Sequence, residues 1–411
     1  QSHEVLSIAD CRPNLPAITN RGCCTHVVGR GLGARYGSVQ DAIDALPASG
    51  GRSCIRDGTF NGSFRLSGRR NVVIEGCGKR TILTDDGGAE ALAELSSTDS
   101  GRIVLRNLTL RAQGQIGVIA QGQNITLEHL GIEVQTGEAL AAQNAIRALD
   151  VSGLTIRDNE IRIGAGPSPH AALYLRSAGD LLIERNTIRH AGDGSDRAWG
   201  GIHLLGTSRG ADVRGNAISG ALGHGITLGS VSWRATDGSD LGHVGAGFGQ
   251  TLEDGTAMPA GQLDPQPVGD LLYYPEPDLP LDDITIVEND VRDCGGAGIG
   301  VPAAEVTHDD VARAAPLCMR RTTFDVTGTV ANNRLTGNGA GPGAPAPDRA
   351  RGGIVLSRAH QTRIANNTIY GPARAPDSGP RCGVFVAFGS NLAIHSNRIT
   401  LRTDAPEPAF D

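Results

Sequence analysis

Seven times the chain writes the same short frame, apolar-x-x-Asn-x-apolar, and that repetition limits its folds more than any other feature. The frames run Ile156–Ile161, Ile183–Ile188, Val213–Ile218, Ile286–Val291, Val330–Leu335, Ile364–Ile369 and Ile394–Ile399, centred on Asn159, Asn186, Asn216, Asn289, Asn333, Asn367 and Asn397. All fourteen flanking positions are aliphatic. Three earlier segments keep the apolar frame but carry Cys77, Leu108 and Leu130 in place of Asn, which makes ten rungs. A second signature, small-apolar-x-apolar, alternates with the first, as in Ala145-Ile146-Arg147-Ala148, Ala172-Leu173-Tyr174-Leu175, Gly201-Ile202-His203-Leu204 and Gly225-Ile226-Thr227-Leu228. Alternation with period two predicts strands. The shortest intervals, 14 residues from small residue to Asn and 9 back again, give a minimal turn of 23 residues. That is the period of a solenoid coil. Strands stacked in register at roughly 4.8 Å per rung bury an aliphatic interior, and each inward Asn can bond its neighbours above and below.

Composition agrees. Glycine supplies 58 of 411 residues while aromatics make up 3 %, a balance that suits many tight turns and argues against a helical bundle. Thirty-seven basic against 44 acidic side chains give a net charge of −7, which speaks against nucleic acid as a partner. Lys79 is the only lysine, so Schiff-base chemistry and phosphate-cradling GxxxxGK[ST] loops have almost no material. No run of 18 apolar residues exists, so no membrane span is expected. The chain starts at Gln1 without Met and reads as a mature or excised piece. Eight cysteines without any C-x-x-C pair favour disulfides or buried thiols over metal.

With these residues in view, the sequence resembles the right-handed parallel β-helix proteins of the pectate-lyase-like superfamily. The resemblance runs from about Tyr36 to Thr400 and includes the opening segments YGSVQDAIDALPASGG, DGTFNGSF and NVVIEGCG. It implies an all-β fold, a right-handed parallel β-helix of about ten rungs with an Asn ladder. Val39, Ala42, Ile43 and Leu46 share one face of a short helix, about 38–47, that Ser38 can start and that can cap the first rung. The expected layout is an N-terminal arm (1–35), the β-helix (36–400) with a long loop insertion at about 230–283, and a tail (401–411). No comparable cap follows Ile399, which leaves room there for a further domain or a homotrimer contact.

Insertions show which wall is used. After Gly225 the next ladder Asn arrives 64 residues later instead of 14, and after Gly298 it arrives 35 later. Longer loops also precede Gly201, Gly353 and Gly383, so both corners flanking one sheet are elaborated and wall it into a groove. Alternation turns Arg147, Tyr174, His203 and Thr227 outward there, one rung apart. Neighbouring loops add His170, His190, Asp193, Asp196, Arg197, Trp199 and His224, and the insertion adds Trp233, His243, Tyr273 and Tyr274. Five of eleven histidines, both tryptophans and three of five tyrosines thus fall between positions 170 and 274.

Sugars stack on aromatic rings while charged and amide groups take their hydroxyls, so His170, Trp199, His224, Trp233, Tyr273 and Tyr274 are candidate substrate-binding residues. The plainer alternative is that the insertion's aromatics only pack it onto the coil. For a uronic-acid polymer, β-elimination needs a cation on the carboxylate, a base and an acid, and Arg147, His203 and Tyr174 offer these on successive rungs. The competing reading is a solvated sheet face. Hydrolysis would need two carboxylates; Asp193 and Asp196 are near but share one loop, where acids commonly solvate a turn. The segment GHGITLGS, Gly223–Ser230, looks like the His motif of polygalacturonases with His224 in the matching position, but the NTD, DD and RxK partners of that motif are missing. The THDD segment, Thr307–Asp310, reads as a helix start, and GAGPGAPAPDRARG and GPARAPDSGP as connectors. No cofactor is expected: Ca2+ would need clustered carboxylates that only Asp193 and Asp196 approach. The expected function is a carbohydrate-active protein outside the cytoplasm that binds and cleaves a polysaccharide or oligosaccharide, a lyase ahead of a glycoside hydrolase. The alternative is a non-catalytic adhesion, surface or phage-tail-like module.

Overall fold

The computed structural model describes residues 24–85, 88–97, 101–135, 144–166, 168–193, 197–235, 266–268, 271–276, 280–301, 325–339, 351–371 and 381–400; of 168–170, 231–235, 266–268, 271–276, 351 and 381 only the backbone is described. Each apolar-x-x-Asn-x-apolar frame folds as strand, corner, strand, and each small-apolar-x-apolar frame as a third strand. The coil therefore has three walls. The first carries strands such as Ile146–Ser152, Ala198–Leu204 and Ile226–Leu228; the second Thr155–Arg157, Leu181–Glu184 and Arg209–Arg214; the third Glu160–Ile163, Thr187–His190 and Ala217–Ser219. The 15-residue strand Arg351–Ala365 runs through the corner between the first two walls, pairing with Ile299–Gly300 on one and Asp325–Ala331 on the other, so those walls form one 21-stranded sheet. The third wall is an 11-stranded sheet. Pairing along all three walls is parallel, and Ile146, Leu173, Ile202 and Ile226 stack in register inside, fully buried.

The corner between the second and third walls explains the invariant spacing. The residue before each ladder Asn turns the chain in the left-handed region, with φ of 55° at Asp158, 53° at Arg185, 59° at Glu288 and 56° at Asn332. Such a conformation is unfavourable for these residues unless the surroundings fix it. The ladder fixes it. Asn159 Nδ2 donates to Asn186 Oδ1 at 2.9 Å, Asn186 to Asn216 at 2.9 Å, Asn216 to Asn289 at 2.9 Å, and so on to Asn397. The second Nδ2 proton of Asn186 goes to the Ile156 carbonyl, and its Oδ1 also accepts the Asn159 backbone N–H. Every polar atom of a buried amide is thereby used.

The small residue of the other signature also has a steric cause. A Cβ on Gly201 would lie 2.5 Å from the Gly225 carbonyl oxygen, and one on Gly225 would lie 2.2 Å from Val291 Cγ1. The coil closes too tightly there for a larger side chain.

The helix forms where the sequence places it, as Val39–Asp44, with Ser38 accepting the Asp41 N–H at 3.1 Å. Val39, Ala42, Ile43 and Leu46 are buried against the first coil. Ahead of it, the strand His26–Val28 joins the second wall, and Cys24 is disulfide-bonded to Cys54 on the adjoining strand. Cys77 is also disulfide-bonded. The rung interrupted after Ile226–Leu228 resumes at Leu281–Val287, and the long insertion contains a separate antiparallel sheet of Ser230–Ala235, Leu271–Glu276 and Gln266–Val268.

The outer face of the second wall carries a charge ladder that the sequence reading did not anticipate. Glu75, Arg106, Glu128, Arg157, Glu184 and Arg214 stand in direct register with alternating sign. Arg106 reaches Glu75 at 3.2 Å and Glu128 at 3.3 Å, Arg157 reaches Glu128 at 2.5 Å, and Arg214 reaches Glu184 at 3.3 Å. Burial alone would raise the Glu128 carboxyl, but Arg157 and Arg106 together hold it below the ordinary range. Glu128→Ala leaves two arginines facing each other; because both are partly solvated, the expected loss is about 1–2 kcal/mol at pH 7 rather than the larger cost of a fully buried broken pair. Urea denaturation of the variant measures it. The depressed carboxyl contributes stability above the unfolded pKa, and that contribution fades as pH falls through the folded value.

Candidate functional site

The first wall delivers the expected column. Arg147 pairs in register with Tyr174, Tyr174 with His203, and His203 with Thr227. The expectation that the column faces an open groove is corrected: Arg147, Tyr174, His203 and Thr227 are 7, 6, 1 and 0 % exposed. The physical reason lies in the turn that leaves the wall. Gly229 binds back to the Leu204 carbonyl at 2.8 Å and presents its own carbonyl to His203 Nε2 at 2.5 Å, and Ser230 Oγ accepts the Gly206 N–H. The backbone of the next rung therefore closes over His203.

The chemistry of each member follows from its partners. A carbonyl can only accept, so His203 Nε2 carries the proton and Nδ1 holds the lone pair. Burial pushes the imidazole down to about 4 against the opposing effect of the Gly229 bond, so it is neutral at ordinary pH. The Tyr174 ring stands edge-on to it, with centroids 5.3 Å apart. Thr227 Oγ1, buried on the next rung, has no hydrogen-bond partner among the described residues. A buried hydroxyl with spare capacity calls for an explanation, and a ligand hydroxyl is one. The Arg147 guanidinium is bound to Glu90, a residue the sequence reading did not single out, so a substrate carboxylate must compete with Glu90 to be neutralised there.

The remaining candidates separate. His224 is held by backbone on both sides, Nδ1 accepting from Ala297 N at 2.8 Å and Nε2 donating to the Val301 carbonyl at 2.8 Å, with the Trp199 ring at 6.5 Å. Trp199 is itself buried. The pair pins the wall to the next rung, where a Cβ on Gly296 would meet the His224 ring at 2.5 Å. His190 places both ring nitrogens against carbonyls, Gly200 at 2.9 Å and Ser219 at 3.2 Å, and burial again lowers it to about 4. Asp193 is exposed, and Asp196 lies outside the described residues. His170 stands on the strand Ser168–Gly179, one residue before Ala171, which pairs with Gly200. Trp233 and Tyr273 are direct cross-strand partners on the insertion's sheet, and Tyr274 opposes Ser232. His243 lies outside the described residues.

Among the described residues no group of three or more His, Cys, Asp or Glu is placed to hold a metal ion, and no helix is long and apolar enough to cross a membrane. Burial pushes the thiols of Cys294 and Cys382 up to about 12.

This geometry defines a right-handed parallel β-helix protein. Residues 91–239 match the family described as "Right handed beta helix region". No curated protein matches the chain. Among solved structures, ORF18 of Geobacillus virus E2 is 13 % identical over 86 % of this chain with a TM-score of 0.38, and the chain spans 56 % of that protein's length. The A-module of mannuronan C-5 epimerase AlgE6 from Azotobacter vinelandii is 16 % identical over 89 % of this chain and 93 % of its own, with a TM-score of 0.42. Endo-xylogalacturonan hydrolase from Aspergillus tubingensis is 10 % identical over 89 % and 91 %, with a TM-score of 0.35. These are likenesses of fold.

Proposed function

We propose that this protein binds an acidic polysaccharide at the first wall and cleaves it by β-elimination. The observation that carries the reading is the register of Arg147, Tyr174, His203 and Thr227 on four successive rungs. In that reaction a base removes the proton beside the uronate carboxylate, the carbon–carbon double bond forms, and the glycosidic carbon–oxygen bond breaks as its oxygen gains a proton. His203 Nδ1 supplies the basic lone pair and the Tyr174 phenol the proton for the leaving oxygen, which requires the backbone over the buried column to open and admit the sugar, since the two are 1 and 6 % exposed. The His203 value near 4 keeps the base free at neutral pH but makes it a weak one, so the step depends on charge stabilisation at the carboxylate. Two disulfide-bonded positions, at Cys54 and Cys77, support a location outside the cytoplasm.

Burial of the column favours a second reading, a non-catalytic module that recognises glycans on its outer walls. The experiment is a panel of polygalacturonate, alginate, glycosaminoglycans and neutral glucans, followed by ultraviolet absorbance of unsaturated ends and separately by new reducing ends. The expected result is absorbance on an acidic substrate, reduced at least about 100-fold in His203→Ala. Reducing ends without absorbance mean hydrolysis, and binding without turnover supports the second reading; either overturns the elimination.

A further inference from the structure

The third wall is not used by the chemistry above, and its charge is unevenly distributed. Toward the first coils its cations are matched: Arg111 bonds Glu133 at 2.8 Å, while Lys79 and Arg162 share Glu160 at 2.7 and 2.5 Å. Toward the last coils that balance fails. On three consecutive strands, Arg334–Thr336, Thr368–Tyr370 and Arg398–Thr400, two parallel outward columns are in register. One reads Arg334, Thr368, Arg398 and the other Thr336, Tyr370, Thr400. Asp290, the direct neighbour of Arg334 on the preceding strand, is already held by Arg292. Neither Arg334 nor Arg398 has an ion pair or side-chain hydrogen bond among the described residues, and both are exposed. On the middle strand, in the adjacent column, Tyr370 is 48 % exposed, a large ring turned to solvent in a chain with 3 % aromatics.

We propose that this face, Tyr370 flanked by Arg334 and Arg398, is a binding platform for an extended carboxylated polysaccharide, separate from the first-wall column. Three features select that ligand. The tyrosine ring offers a flat apolar surface to the C–H face of a sugar, while its hydroxyl and those of Thr336, Thr368 and Thr400 are available to sugar hydroxyls. The two arginines stand on the rungs before and after that of Tyr370, their backbones on the order of 10 Å apart, so carboxylates of sugars before and after the stacked one come within reach of a fork of donors. Rung spacing is comparable to the advance of one sugar unit in an extended chain. A cationic patch on a chain of net charge −7 also favours a polyanion that the rest of the surface repels. A flat parallel sheet has no groove to enclose the ligand, so affinity comes from repetition along the polymer rather than from burial. The inference borrows from the proposed function only the class of ligand, and it is read by binding alone, so its failure leaves the elimination assay undecided and the reverse.

The test uses calorimetric titration of the full chain with polygalacturonate, sulfated dextran and neutral dextran, at low and at 0.3 M salt. Polygalacturonate is expected to bind, neutral dextran to show no heat, and added salt to weaken the complex. Arg334→Gln with Arg398→Gln is expected to weaken polygalacturonate binding about tenfold and to flatten its salt dependence, and Tyr370→Ala to weaken it about tenfold while leaving the salt dependence intact. Both variants change only exposed side chains. Unchanged affinity in either variant overturns the platform. Sulfated dextran binding as tightly as polygalacturonate, with Tyr370→Ala affecting neither, makes the wall a general anion face and also overturns it.

Discussion

Asn216→Ala is expected to lower the unfolding free energy by about 4 kcal/mol, because the change removes one amide and strands several neighbours. Asn216 Oδ1 accepts both the backbone N–H and the side-chain Nδ2–H of Asn186, at 2.9 Å each. Those two donors are buried, Asn186 being 1 % exposed. The Ile183 carbonyl loses its bond to Asn216 Nδ2, and Asn289 Oδ1 loses one of its donors. Each buried polar group left without a partner costs roughly 1–3 kcal/mol, and the methyl of alanine cannot fill the space the amide held. Asn397→Ala is the internal control. That residue makes the same contacts to Asn367 but sits on the last described coil, where it is half-buried and water can replace the amide, so the expected loss is about 1 kcal/mol. Equilibrium denaturation of the two variants compares them directly, and equal losses would mean that the ladder is not what holds the corner.

The second large effect is a pH dependence set by His203. An unfolded histidine titrates near 6.5, whereas in the folded chain burial lowers this one to about 4. Between those values the unfolded state binds the extra proton, so stability rises with pH through the window and is complete above about 6.5. Falling from pH 7 to pH 4 is expected to remove about 3 kcal/mol on account of this residue. His203→Gln retains a donor for the Gly229 carbonyl but has nothing to titrate. Its stability should therefore change far less across the window, with the residual slope belonging to His190, which burial lowers to a similar value. Urea denaturation at pH 4, 5, 6 and 7 gives both slopes, and parallel slopes in the two proteins would show that His203 is hydrated in the folded chain.

Much of the architecture was legible because its causes are local in the chain. Asn at a fixed place in an aliphatic frame, a small residue ahead of an alternating pair, and Ser38 before Val39, Ala42 and Ile43 each report a corner, a tight closure or a capping helix within a few residues. The register of Tyr174 with His203 was legible for the same reason, since two identical frames place their outward residues in one row.

Other features were hidden by distance along the chain. The partners in the second-wall charge ladder stand 22, 29 and 31 residues apart, with no constant spacing to betray them. Glu90 is 57 residues from the Arg147 it neutralises. The exposed ring of Tyr370 follows from the same alternation as its buried neighbour Ile369, but its place beside the column of Arg334 and Arg398 appears only when three coils are stacked.

The amino-acid sequence on its own determined the coil, its stacked rungs and which side chains point inward, since strand periodicity and turn chemistry act over a few residues. The tertiary structure alone decided which outward residues meet solvent. Alternation sends His203 and Tyr370 outward alike, but the Gly229 backbone of the next rung closes over His203 while Tyr370 on the third wall is 48 % exposed.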